Sequence, residues 1–171
     1  MSVTKFIQIT FLTLLVSFSI SEAQETDAVL LSQIRDQLPS AFENDKACSS
    51  MLAKYKKVKS DNVVLNGYIG GLYIARSRHA PLLDKMSNLK TGTGMLEEAL
   101  KKLPDNIELR FLRLTIQLNL PGFLGYNDNI ESDRKFVLKH YDSALPVLRK
   151  RIVDFVKTSG HFTEAEQAAV N

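Results

Sequence analysis

The sequence has no tryptophan, one cysteine, eight glycines and five prolines in 171 residues. Each scarcity excludes something. With Cys48 alone, no intrachain disulfide can form, so the fold must be held by packing even in an oxidising compartment. Cys48 itself, in Lys46-Ala47-Cys48-Ser49-Ser50-Met51, suits a thiol packed on a helix. Without tryptophan, the aromatic mass of the core must come from phenylalanine and tyrosine. So little glycine and proline is at odds with a linker-rich or disordered chain. Charge of one sign is also scarce. The net charge is +3, and the basic clusters Lys54-Lys56-Lys57-Lys59 and Arg149-Lys150-Arg151 read as solvated helix faces. A nucleic-acid binder needs a more concentrated field, so no nucleic acid is expected as a partner.

Catalytic signatures are missing too. There is no HExxH, no Cys–His cluster and no G-x-S-x-G. Gly92-x-Gly94 is too sparse for a dinucleotide loop, and Asp128-x-x-Glu131 lacks the oxygen ladder of an EF-hand. His79, His140 and His161 are isolated from one another. No catalytic residue, metal or cofactor is expected from the sequence. An enzyme whose groups meet only in the fold, around His79, His140 and the arginines, is the rival reading. A structural envelope protein is a third.

What is present begins with a leader. Lys5 precedes the apolar run Phe6–Ile20, and Ser21-Glu22-Ala23 puts small residues at the positions a signal peptidase reads. The run is shorter than the roughly 20 residues that span a bilayer. A cleaved signal over residues 1–23 is expected. Gln24 to Asn171 would then form a single domain in the periplasm or outside the cell, with no stable membrane span.

The rest predicts an all-α domain of about seven helices in antiparallel hairpins, since apolar residues recur at helical spacing and strand alternation is poor. A first helix spans Asp27 to Leu38 and ends at Pro39. Ser40-x-x-Glu43 has the form of a capping box for a second, which carries Phe42, Cys48, Met51, Leu52 and Tyr55. A third opens at Ser60 or Asp61 and runs to about Arg78. Its Gly67, Gly70 and Gly71 imply close approach by a neighbouring helix. A short element near Pro81 uses Leu82, Leu83 and Met86. After Thr91-Gly92-Thr93-Gly94, the helix Met95–Leu103 begins. Asp105-x-x-Glu108 and Asp128-x-x-Glu131 both read as reciprocal caps, for helices carrying Ile107–Leu118 and Phe136–His140. A helix from Ala144 to Lys157 and a short one capped by Thr163 and Glu166 complete the chain.

Gly92-x6-Ala99-x4-Pro104, with Leu96 between, resembles the second half of a tetratricopeptide repeat, and Gly70-x-x-Tyr73 resembles the start of one. The resemblance implies paired helices approaching through small residues, over roughly residues 64–118. The segments Asn106–Arg113 and Leu120–Ile130 also resemble a group of exported proteins of Bacteroidetes-type bacteria. That likeness implies export and a repeat-like helical fold, and carries no activity.

Two groups stand out as candidate partner-binding residues. Phe123, Leu124, Tyr126 and Asn127 lie in the loop Pro121–Asn129, where large apolar groups must either meet a partner or plug the protein's own core. Arg110 and Arg113, with Gln117 one turn on, share a helix face and could grip a carboxylate or phosphate, or pair with acids of the same chain. The expected function is a non-enzymatic binding or assembly-accessory module whose partner is another envelope or secreted protein.

Overall fold

The computed structural model describes residues 26–170, so the expected signal sequence lies outside the described residues. The architecture is all-α. Eight α-helices and two short 3-10 turns occur among the described residues, and no strand does. They are α1 (26–43), α2 (Asp45–Tyr55), α3 (Val63–His79), α4 (Leu82–Lys102), α5 (Ile107–Asn119), α6 (Ile130–His140), α7 (Pro146–Thr158) and α8 (Glu164–Ala168).

α3 is the central element. Its residues from Gly67 to Leu72 are all buried, as a helix covered on every side requires. The expected close approach is met by α4. A Cβ on Gly70 would lie 2.7 Å from the Gly92 carbonyl oxygen, and one on Gly92 would lie 2.5 Å from the Gly70 oxygen. Gly67 faces Ala99 and Leu96 across the same contact, so numbers rising on α3 meet numbers falling on α4 and the pair is antiparallel. On its other flank, Gly67 and Gly71 meet Leu109 and Ile116 of α5 in rising order, so α5 runs parallel to α3.

Three sequence expectations are corrected here. The Thr91–Gly94 stretch does not interrupt anything: α4 is one helix of 21 residues, because Gly92 is the contact point with α3. Pro39 does not end the first helix, which continues to residue 43. Proline cannot donate to the carbonyl four residues earlier, at a cost of about 3 kcal/mol in a helix interior. That carbonyl belongs to Arg35, and Arg151 of α7 donates to it from Nη1 at 2.9 Å. Finally, none of Ser40/Glu43, Asp105/Glu108 and Asp128/Glu131 forms the expected cap; α6 starts after Asn129 with no side-chain cap bond. Asn44, Asn62 and Asn106 cap α2, α3 and α5, each accepting from the backbone three residues on. The Thr163–Glu166 box does form, in both directions.

The apolar residues gather in two clusters that share α5. The larger joins α1 to α4 with Leu109, Leu112 and Ile116 of α5. The smaller sets Leu114 of α5 against Val137, Tyr141, Ile152, Val156 and Phe162. Cys48 is fully buried in the larger one.

Candidate functional site

α5 has three faces, and each meets something different. One packs on α3. A second holds charge. Asp133 of α6 is fully buried and accepts from Arg113 Nε at 2.7 Å and Nη2 at 2.9 Å, the two-pronged geometry a guanidinium suits. Arg113 also donates to Glu97 of α4 at 2.7 Å. Burial alone would lower the Arg113 guanidinium, but Asp133 and then Glu97 reverse this and hold it above its ordinary value. Arg110 reaches Asp133 at 3.1 Å and the Pro104 carbonyl at 2.6 Å, with its guanidinium stacked over Phe136. The two arginines singled out in the sequence are therefore engaged by acids of their own chain. Gln117, on the same face, is buried against Asn129.

The Pro121–Asn129 loop divides into inward and outward parts. Leu124 and Tyr126 pack against the larger cluster, and the Tyr126 hydroxyl donates to Glu97 at 2.6 Å. Burial, then the bond to Glu97, raises the Tyr126 phenol far above its usual range. Gly125 has φ of 66°, which lets the chain reverse between the two anchors. Phe123 points away and is 87% exposed, and Asn127 is exposed as well.

The third face of α5 is open. Phe111, Thr115 and Asn119, at four-residue steps, floor a groove of about 1000 Å³. Leu38, Pro39 and Phe42 of α1 form one wall, and Leu148, Arg151 and Phe155 of α7 the other. Arg78 and His79, from the end of α3, close one end. At the opposite end the groove continues into a smaller hollow beside Leu145 and Val147, with Arg35, Leu148 and Arg151 shared. No residue of the Pro121–Asn129 loop lines it.

The charges along the groove are largely occupied. Glu108 accepts from Arg35 Nε at 2.5 Å and Nη2 at 2.6 Å, and from the Tyr68 hydroxyl at 2.8 Å. Burial, then Glu108, pushes the Tyr68 phenol well above its normal range. Arg151 spans the Arg35 carbonyl and the Asp36 carboxylate. The His79 Nε2 lies 3.0 Å from the Ala41 carbonyl, in the last turn of α1. His140 stacks on Phe136 with ring centres 4.5 Å apart, and His161 lies beside Phe155, so the three histidines do not converge. Among the described residues, no group of three His, Cys, Asp or Glu side chains is placed to hold a metal ion.

The groove was not legible as a site in the sequence. Arg35 and Glu108 are 73 residues apart and Arg151 and Arg35 are 116 apart, so no local pattern connects them. The one local signal is that α5 carries apolar residues on more of its circumference than a single core can use.

No protein-family model matches the chain, and no curated protein or solved structure matches it either.

Proposed function

We propose that the protein is an exported, non-enzymatic binding or assembly-accessory module that receives a helical segment of another envelope or secreted protein. The receiving surface is the groove between α1, α5 and α7. The observation that carries this is the open face of α5: a floor at helical spacing, lined on both sides by apolar groups such as Phe42, Leu148 and Phe155 of the two flanking helices, and covered by none of the described residues. A floor built this way has the ridges and grooves another helix fills. The rim charges answer one another, Arg35 with Glu108 and Arg151 with Asp36, so what the groove offers is chiefly apolar contact. A helical-repeat character is supported by Gly92 and Ala99 lying against α3 and by Pro104 following α4. Catalysis finds less support, because His79 is committed to a helix-end carbonyl.

Thr115→Trp tests this by filling the floor. Wild-type protein immobilised in envelope extract should retain a partner that the variant binds at least about tenfold more weakly. The thermal midpoint should move by only a few degrees, since Thr115 is half-buried at a surface that is open. Equal retention by both proteins, or no partner retained by the wild type, would count against the reading.

A further inference from the structure

α4 projects beyond the core. Its first buried residue is Leu89, and the turns before it carry Leu82, 78% exposed, Leu83, 90% exposed, and Met86, 54% exposed. Leu82 and Met86 are four residues apart and share a face, with Leu83 beside them. Neither apolar cluster includes any of the three. Cations surround this tip: Arg78 just before it, Lys85 within it and Lys90 one turn on. None of the three is in an ion pair among the described residues, and Asp84 is the only acid between Ala80 and Leu96. Phe123 rises at the same end of the helices, because α5 runs parallel to α3 and its C-terminal end lies where α3 finishes and α4 starts.

Size decides what could cover this tip. It consists of three exposed apolar side chains and their cations, whereas a stable protein interface takes about 20–30 residues a side. A bilayer surface needs no complementary hollow. Its acyl boundary takes protruding apolar groups, and its anionic headgroups take the lysines and arginines around them. No described helix is long and apolar enough to cross a membrane, so the contact would be superficial. We propose that Leu82, Leu83 and Met86, joined by Phe123, form a tip that dips into the headgroup layer of anionic lipid, with Arg78, Lys85 and Lys90 against the phosphates. The groove's Arg78 end adjoins this tip, but none of Leu82, Leu83, Lys85, Met86, Lys90 and Phe123 lines the groove, so variants at those positions test the tip without touching the groove's lining.

The test is co-sedimentation of the purified full chain with vesicles of phosphatidylglycerol and phosphatidylcholine, and with vesicles of phosphatidylcholine alone. Pelleting is expected with the anionic vesicles and should weaken as salt rises. Leu82→Asp with Leu83→Asp should lower apparent affinity about tenfold or more, with an unchanged helical circular-dichroism spectrum because both leucines are exposed. Lys85→Glu with Lys90→Glu should produce a similar loss, and Phe123→Ser a smaller one of about threefold. Equal pelleting of wild type and the leucine variant would place lipid contact outside the tip and overturn the proposal. So would the absence of pelleting, or equal pelleting on neutral vesicles. Self-association that the leucine variant abolishes would give the tip to a second copy of the chain instead.

Discussion

Gly70 and Gly92 bring α3 and α4 together by having no side chains, whereas Arg113 and Asp133 bring α5 and α6 together by burying full charges. The first contact consists of backbone against backbone, with Leu96, Ala99 and Ile74 closing around it. It tolerates no added atom. The second consists of long side chains whose donors and acceptors are matched, with Glu97 and Arg110 taking up what the central pair leaves over. It tolerates no missing partner. Two helix pairs in one small protein thus fail for opposite reasons, one by overfilling and the other by desolvated charge.

The largest expected effect breaks the charged side. Asp133→Ala leaves Arg113 buried with only Glu97, and should cost about 3–5 kcal/mol by denaturant titration. Replacing both partners, Arg113→Met with Asp133→Leu, should return most of that stability. If the double variant is as unstable as the single one, buried charge is not what the contact depends on. The glycine side is tested by Gly92→Ala, which puts a methyl group within 2.7 Å of backbone atoms of Gly70 and Ile74 and should cost about 2–3 kcal/mol. Gly94, two residues on, has nothing within 4 Å of its would-be Cβ. An alanine there should stabilise α4 by about 0.5–1 kcal/mol, so equal behaviour of the two variants would erase the distinction.

Smaller effects sharpen the picture. Arg151→Met removes the donor that Pro39 makes necessary, and should cost about 1–2 kcal/mol. In a Pro39→Ala background the loss should shrink, because α1 then supplies its own N–H; a double-mutant cycle in thermal melts reads that coupling. The tyrosines give a dependence on alkali. Tyr68 and Tyr126 both titrate above their unfolded value of about 10. Their contribution is therefore complete below about pH 10 and declines as pH rises beyond it. Tyr126→Phe should cost about 1 kcal/mol at neutral pH and flatten the loss of stability above pH 10, followed by urea midpoints across the series. An unchanged alkaline slope would detach the phenol from the Glu97 contact.

The sequence showed the helices better than the connections among them. Apolar residues at helical spacing are local information, and so are Gly70 and Thr163-x-x-Glu166. Pro39 and Thr91–Gly94 misled because their consequences depend on remote residues: Arg151 rescues the proline, and α3 accepts the glycine. Asp105 and Glu108 misled for another reason. The spacing was right for a cap, but Arg35 and Tyr68 offered Glu108 stronger partners than a backbone amide. Among the candidate binding residues, Arg110 and Arg113 were legible as a pair on one face. Their occupation by Asp133 was not, because nothing near them in the chain announces it. Phe123, Leu124 and Tyr126 look alike as large side chains; the 3-10 turn at Gly122–Leu124 turns Leu124 inward and Phe123 outward, and the reversal at Gly125 lets Tyr126 come back as the second anchor.

The proline in α1 also bears on the timing of synthesis. Arg35 and Pro39 leave the ribosome early, and the guanidinium that completes their hydrogen bonding follows 116 residues after Arg35. Until α7 arrives, the second half of α1 has only water to satisfy that carbonyl. The N-terminal helix should therefore gain its full protection against hydrogen exchange last, together with the C-terminal helices, even though it is made first.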